Sequence, residues 1–152
     1  MTLKLDPMTS GEFQDYLGFA IKHFAEEHIK SGNWKPEEAY RKAAEEYEKL
    51  LPAGQDTGNN YLFTIRDGSK EVGMIWLAHK THEKGFIYSI HIWEGNQGKG
   101  YGKKALQEIE VIAKKRGLKS IGLHVFAHNA IARDLYGKLG YIEKNIKMEK
   151  SL

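Results

Sequence analysis

A chain of 152 residues, 41% hydrophobic and 28% charged, has the size and composition of one globular domain with a proper core. It contains no cysteine, which excludes a disulfide framework and a thiolate nucleophile, and its formal charge of +3 does not by itself argue for nucleic acid. No apolar signal segment opens it and no run approaches transmembrane length, so a cytoplasmic location without a membrane partner is expected.

Leu3-Lys4-Leu5 alternates as a short first strand and is stopped by Asp6-Pro7. Thr9-Ser10-Gly11-Glu12 is a capping box, and Phe13, Leu17, Ala20, Ile21 and Phe24 carry a helix to about Ile29. Ser31-Gly32-Asn33 breaks it. Pro36 opens a second helix, whose buried face is expected to hold Ala39, Tyr40, Ala43, Ala44, Tyr47, Leu50 and Leu51. Strands follow at 61–65 and 72–77, joined by the Asp67-Gly68 hairpin signal, and a third runs from Phe86 to Trp93. Tyr101, Ala105, Leu106, Ile109, Ile112 and Ala113 mark one face of a third helix, ended by Gly117. A strand at 120–125, a helix from Asn129 to Leu139 and a final strand from Ile142 to Met148 complete the expectation. The third strand, its helix and the 120–125 strand make a βαβ unit with parallel strands.

Between the third strand and the third helix lies Gln97-Gly98-Lys99-Gly100-Tyr101-Gly102, with Lys103 and Lys104 behind it. Glycine lets backbone approach a ligand closely, and the first amides of a helix point outward toward anions. The turn is therefore a phosphate cradle. A P-loop would place Ser or Thr after Gly102-Lys103, where Lys104 stands, and the dinucleotide fingerprint would place a small residue at Lys103.

The chain resembles the GNAT superfamily of acyl-CoA-dependent N-acyltransferases. Three elements carry the resemblance in family order: Ile90-His91-Ile92 followed by Gln97 to Gly102, the strand Leu123-His124-Val125, and Asn129 to Tyr141, which matches Asn-x-x-Ala-x-x-Leu-Tyr-x-Lys-x-Gly-Phe/Tyr. The resemblance implies a single 1–152 domain of mixed α/β class, with a twisted, mostly antiparallel sheet and helices on both faces. It implies acetyl-CoA as cosubstrate, a primary amine as acceptor, and direct transfer without a covalent enzyme intermediate.

By resemblance, Ile90, His91 and Ile92 offer backbone groups to the pantetheine. Gln97, Gly98, Lys99, Gly100, Tyr101, Gly102 and Lys103 hold the pyrophosphate, and Asn129 and Ala132 contact the cofactor. Tyr136 lies seven residues after Asn129 on the same helix face, and the resemblance implies that it is the acid for the departing sulfur. A phenol stays protonated at neutral pH and suits that role. The bland alternatives are Tyr136 as a core aromatic and Asn129 as a helix cap. Family members often carry proline at the position of Glu94.

His124 stands where some members place a basic carboxylate, and an imidazole titrating near neutrality can take the amine proton directly or through water. Packing beside Val125 and Phe126 is its other reading; His91, Glu94 and Tyr88 are weaker candidates. The acceptor walls are expected among His23, Glu26, Glu27, His28, Trp34 and Tyr40. The seven histidines show no metal-ligand spacing, and surface positions are expected for them, with no metal. A non-catalytic acyl-CoA sensor of the same fold and a nucleic-acid module are the rival classes. The second lacks a basic stripe with interleaved aromatics. An exposed edge strand near the C-terminus offers a route to a homodimer.

Overall fold

The computed structural model describes residues 2–152. Five strands, β1 (Leu3–Pro7), β2 (Asn60–Asp67), β3 (Lys70–His79), β4 (Lys84–Ile92) and β5 (Ser120–Leu123), form one sheet in the order β1-β2-β3-β4-β5. The first four are antiparallel neighbours, while β4 and β5 run parallel, as expected for strands linked through a helix. The helices are α1 (Ser10–Lys30), α2 (Pro36–Leu50), α3 (Tyr101–Lys115) and α4 (Ala130–Lys138). None of them is long and apolar enough to cross a membrane.

Local chemistry sets the helix ends. Thr9 Oγ1 accepts the Glu12 N–H at 3.2 Å and Glu12 returns to the Thr9 N–H at 3.0 Å, completing the capping box. Pro36 sits in the first turn of α2, and Gly117 takes a φ of +83° just past α3. The hairpin between β2 and β3 turns at Gly68, with φ +62°.

Alternation along the strands divides the core into two layers. Phe63, Ile65, Val72, Ile75 and Leu77 face α3, where Ala105, Leu106 and Ile109 are fully buried. Leu62, Met74 and Trp76 face the other way, against Phe13, Tyr16 and Ala20 of α1 and Tyr47 of α2. The sheet is therefore covered on both sides, and α4 joins the α3 side through Leu135, Tyr136 and Leu139.

Three expectations are corrected. Tyr40 is 62% exposed, because Ala39, Ala43 and Tyr47 form the buried stripe of α2 and Tyr40 lies one step, about 100°, round the helix. β5 ends at Leu123, so His124 and Val125 are not in a strand. No strand forms over Ile142 to Met148. Ile142, Ile146 and Met148 are 80%, 71% and 88% exposed, and residues 142–152 make no backbone hydrogen bond among the described residues. Lys144 interrupts the apolar face of that segment, so pairing would bury little to offset the cost of ordering it. The outer side of β5 is thus an unpaired sheet edge.

Candidate active site

β4 pairs with β5 only from Lys84–Ser120 to Ile87–Leu123. At that point the β3–β4 register slips: Trp76 pairs Ser89, Leu77 pairs Ile87, and Tyr88 is the extra residue of a bulge. A bulge bends its strand and increases its twist. The remainder of β4, Ser89 to Ile92, keeps β3 on one side and has no strand on the other. A gap opens there, bounded by β4 and by the segment 124–129.

Strand alternation decides which backbone groups face the gap. Trp93 N–H donates to Val72 O at 2.9 Å, toward β3, and His91 O also points there, since a Cβ built on Gly73 would lie 2.2 Å from it. The groups of Ile90 and Ile92 therefore point into the gap, and those of His91 do not. Ile92 O is already bonded by Gln97 Nε2 at 3.0 Å, which braces the loop against the strand end. Ile90 is left as the strand residue whose backbone pair is free.

At one mouth of the gap the chain turns through Gly95, Gly98 and Gly100, all with positive φ, into α3. Gly100 is the N-cap and supplies no side chain, and among the described residues the amides from Gly98 to Lys103 have no acceptor. These outward donors at a helix N-terminus suit a pyrophosphate. Lys99 and Lys103 are exposed beside them. Tyr101 differs from expectation in its side chain: it is buried and donates to Asp67 Oδ2 at 2.5 Å, so only its amide faces outward. Asp67 Oδ1 also accepts the Thr2 N–H at 3.0 Å, and the Tyr101 bond is the leading cause holding the Asp67 carboxyl below its usual range.

Across the gap, Asn129 caps α4, its Oδ1 accepting the Ala132 N–H at 3.2 Å. That is the bland reading realised, and it leaves the Asn129 amide nitrogen for a ligand. Gly102 lies where α3, α4 and β4 meet: a Cβ there would sit in ordinary contact, 3.5 Å from Leu135 and 3.9 Å from Ile92. Tyr136, next to Leu135, is half-buried, and burial raises its hydroxyl pKa above the ordinary 10.0. Its hydroxyl has no hydrogen-bond partner among the described residues, whereas the neighbouring Tyr141 is engaged with Glu110.

Comparison with known proteins bears on this architecture. A family model, the Acetyltransferase (GNAT) family, matches residues 21–141. The chain belongs to the GNAT acetyltransferase family. Two Bacillus subtilis (strain 168) proteins named as uncharacterized N-acetyltransferases, YycN and YdgE, are each 39% identical over 156 residues. They are matched over 100% of this chain and 100% and 99% of their own lengths. The crystal structure of YycN superposes with a TM-score of 0.96 at 37% identity, over 99% of both chains. A more distant neighbour, the paia N-acetyltransferase of Thermoplasma acidophilum in complex with coenzyme A, shares the fold at TM-score 0.73 and 21% identity, over 97% and 94% of the chains. This chain is an N-acetyltransferase by family and by full-length relatives.

The GNAT gap opens on its α1 side into aromatic and histidine side chains. His91 meets Phe19 edge-on at 4.9 Å and His23 at 4.7 Å. His28 stacks on Trp34 at 3.9 Å and meets Phe126 at 5.0 Å, while His124 meets Phe126 at 4.9 Å. Four of the histidines thus gather on one side of the sheet. His124 is exposed, beside the gap and on its α1 side. Tyr88 turns away, its hydroxyl bonded by Lys80 Nζ at 2.6 Å, and Glu94 is exposed on the loop.

His91 is poorly suited to be the base: burial, then the nearby His23, lowers its pKa from 6.5 to about 3. The unfolded chain binds a proton there that the folded chain refuses, so stability falls as pH drops from about 6.5 toward 3. The slope is ~1.4 kcal/mol per pH unit. Chemical denaturation at pH 7 and pH 5 is expected to show a loss of about 2 kcal/mol, largely removed in His91→Asn. An unchanged difference in the variant would place the titrating group elsewhere.

Two features escaped the sequence reading. His128 Nε2 hydrogen-bonds the Glu27 carboxylate, and His128 Nδ1 lies 3.4 Å from Ser31 Oγ, tying α1 to the segment before α4. Tyr16 is 2% exposed beneath α1, close to Ser89 and Tyr47 but outside hydrogen-bond geometry with either. Both depend on contacts between distant segments, which no local pattern carries.

Proposed function

We propose that the protein transfers the acetyl group of acetyl-CoA directly to a primary amine. The observation that carries this reading is the unpaired end of β4, leading from the free amides of the glycine turn toward Tyr136 on one side of the sheet and His124 on the other. In this reading the amides from Gly98 to Lys103 hold the pyrophosphate, aided by Lys99 and Lys103. Ile90 pairs with the pantetheine as a neighbouring strand would, and the Asn129 amide nitrogen donates to it. Ala132 packs in the first turn of α4.

The amine nitrogen attacks the thioester carbonyl, the C–N bond forms, and the C–S bond breaks. His124 accepts the proton that the nitrogen loses, directly or through water. Tyr136 donates to the departing sulfur. Its raised pKa keeps it protonated and makes full transfer to a thiolate of pKa about 8.5 uphill, so its hydrogen bond matters most as charge develops on sulfur. Net, an amine proton becomes the thiol proton.

Calorimetric titration with acetyl-CoA tests the cradle. Binding is expected to weaken with salt and to fall severalfold in the Lys99→Ala, Lys103→Ala double variant, while desulfo-coenzyme A binds as well as coenzyme A. No binding by the wild type would reduce the glycine loop to a turn and end this reading. Binding without thiol release from any amine would favour an acyl-CoA sensor of the same fold.

A further inference from the structure

Phe19, His23, Glu27 and Ser31 recur every fourth residue along α1 and its C-cap, and so share one face of the helix. The first two lie on the β4 wall of the gap: Phe19 meets His91 at 4.9 Å and Trp93 at 5.2 Å, and His23 meets His91 at 4.7 Å. The other two lie on the opposite wall, where the Glu27 carboxylate accepts from His128 Nε2 and Ser31 Oγ stands 3.4 Å from His128 Nδ1. His28 adds a contact with Phe126 at 5.0 Å. One face of α1 therefore bridges the gap. Neighbouring strands lie about 4.8 Å apart, so a ligand chain seated between two walls needs about 10 Å. The helix rises about 12 Å from Phe19 to Glu27, a span of that order.

The two walls are not held alike. β4 is paired with β3 as far as Ile92. Beyond Leu123 the other wall has no strand partner, and among the described residues its backbone bonds are local. Asn129 N–H donates to Phe126 O at 2.9 Å, and the Arg133 guanidinium donates to Ala127 O at 3.3 Å. Side-chain contacts with α1 then set where this wall stands. Glu27 is only 13% exposed, and a carboxylate so far out of water requires a partner. His23 Nε2 and Lys30 Nζ stand off at 3.8 Å and 3.9 Å, which leaves His128 as the group that hydrogen-bonds it. Because the His128 ring is 35% exposed, the pair adds little to stability. Its effect is on position.

We propose that Glu27 and His128 are positioning residues for the transfer: their bond fixes the 124–129 wall at a set distance from β4 and so keeps His124 and Asn129 opposite Ile90. Both act through those two residues. The proposal rests on the acetyl-transfer reading for the reaction whose groups are positioned, and on the α1 contacts alone for the tie. A small displacement of a group that serves the reaction costs far more in rate than the lost bond costs in stability.

The test measures thiol release from acetyl-CoA with benzylamine, glycinamide and 2-aminoethanol. In parallel it measures amide exchange at Asn129, Ala132 and Arg133, whose N–H groups are bonded at the start of α4. In Glu27→Ala and in His128→Ala, kcat is expected to fall about tenfold with the amine KM within about twofold. The three amides should exchange severalfold faster in both. The double variant should be no slower than either single one, since each removes the same bond. Glu27→Gln keeps an acceptor for His128 and should recover most of the lost turnover, while Lys30→Ala should leave it unchanged. A Glu27 that served only to attract the amine would give the reverse, a raised KM in Glu27→Gln with kcat held. That result, or wild-type kcat in His128→Ala, overturns the proposal. If the wild type releases no thiol with any of the amines, the failure belongs to the transfer reading, and exchange with the protein alone decides the tie. Faster exchange in the two alanine variants sustains it; unchanged exchange overturns it.

Discussion

Tyr136→Phe is expected to lower the turnover of acetyl-CoA about 100-fold or more while leaving its Kd within about twofold. Tyr136 is half-buried on the inner face of α4, and its hydroxyl bonds to nothing among the described residues. A tyrosine kept only for packing gains nothing from such a hydroxyl, so removing it should leave the melting temperature unchanged or slightly raised. Activity and stability therefore separate. Thiol release at saturating acetyl-CoA, read beside thermal unfolding, makes the check; wild-type turnover in the folded variant would return Tyr136 to the core.

Gly73→Ala is expected to destabilise the fold by about 2–3 kcal/mol and to weaken acetyl-CoA binding at the same time. The added Cβ would stand 2.2 Å from His91 O and 3.1 Å from the Ile92 Cα, both backbone atoms that cannot swing aside as a side chain can. Relief requires the end of β4 to move off β3, and that end is the strand whose other side faces the gap. Denaturant titration reports the first effect and calorimetry the second. A variant with wild-type stability and affinity would show that β4 is held less firmly by β3 than its pairing implies.

The sequence carried those parts of the site that depend on backbone chemistry within a few residues. The positive-φ glycines of the turn, the Thr9–Glu12 capping box and the Asn129 cap each need particular residue types at fixed short spacing, and each stands where expected. Periodicity found the helices and the two-sided sheet for the same reason. Elements fixed by distant partners were less legible. The bulge at Tyr88 is a mismatch between β3 and β4, which neither strand shows alone, and it decides where the gap begins. The direction of the His91 carbonyl follows from that pairing. Tyr16 is among the most deeply buried side chains, yet it fell outside the apolar set read for α1 because a tyrosine counts equally well as surface. Over Ile142 to Met148 the expected strand does not form, and no sheet edge pairs with that segment.

The contact of Asp67 with both Thr2 and Tyr101 has a consequence for how a ligand meets the glycine turn. One carboxylate ties the start of β1, the β2–β3 hairpin and the first residue of α3, segments far apart in sequence. The loop's geometry is thus imposed by the folding of the whole sheet and needs no ligand to bring it about. Preorganisation of this kind removes the ordering entropy from the binding step, so affinity reflects contacts more than induced structure.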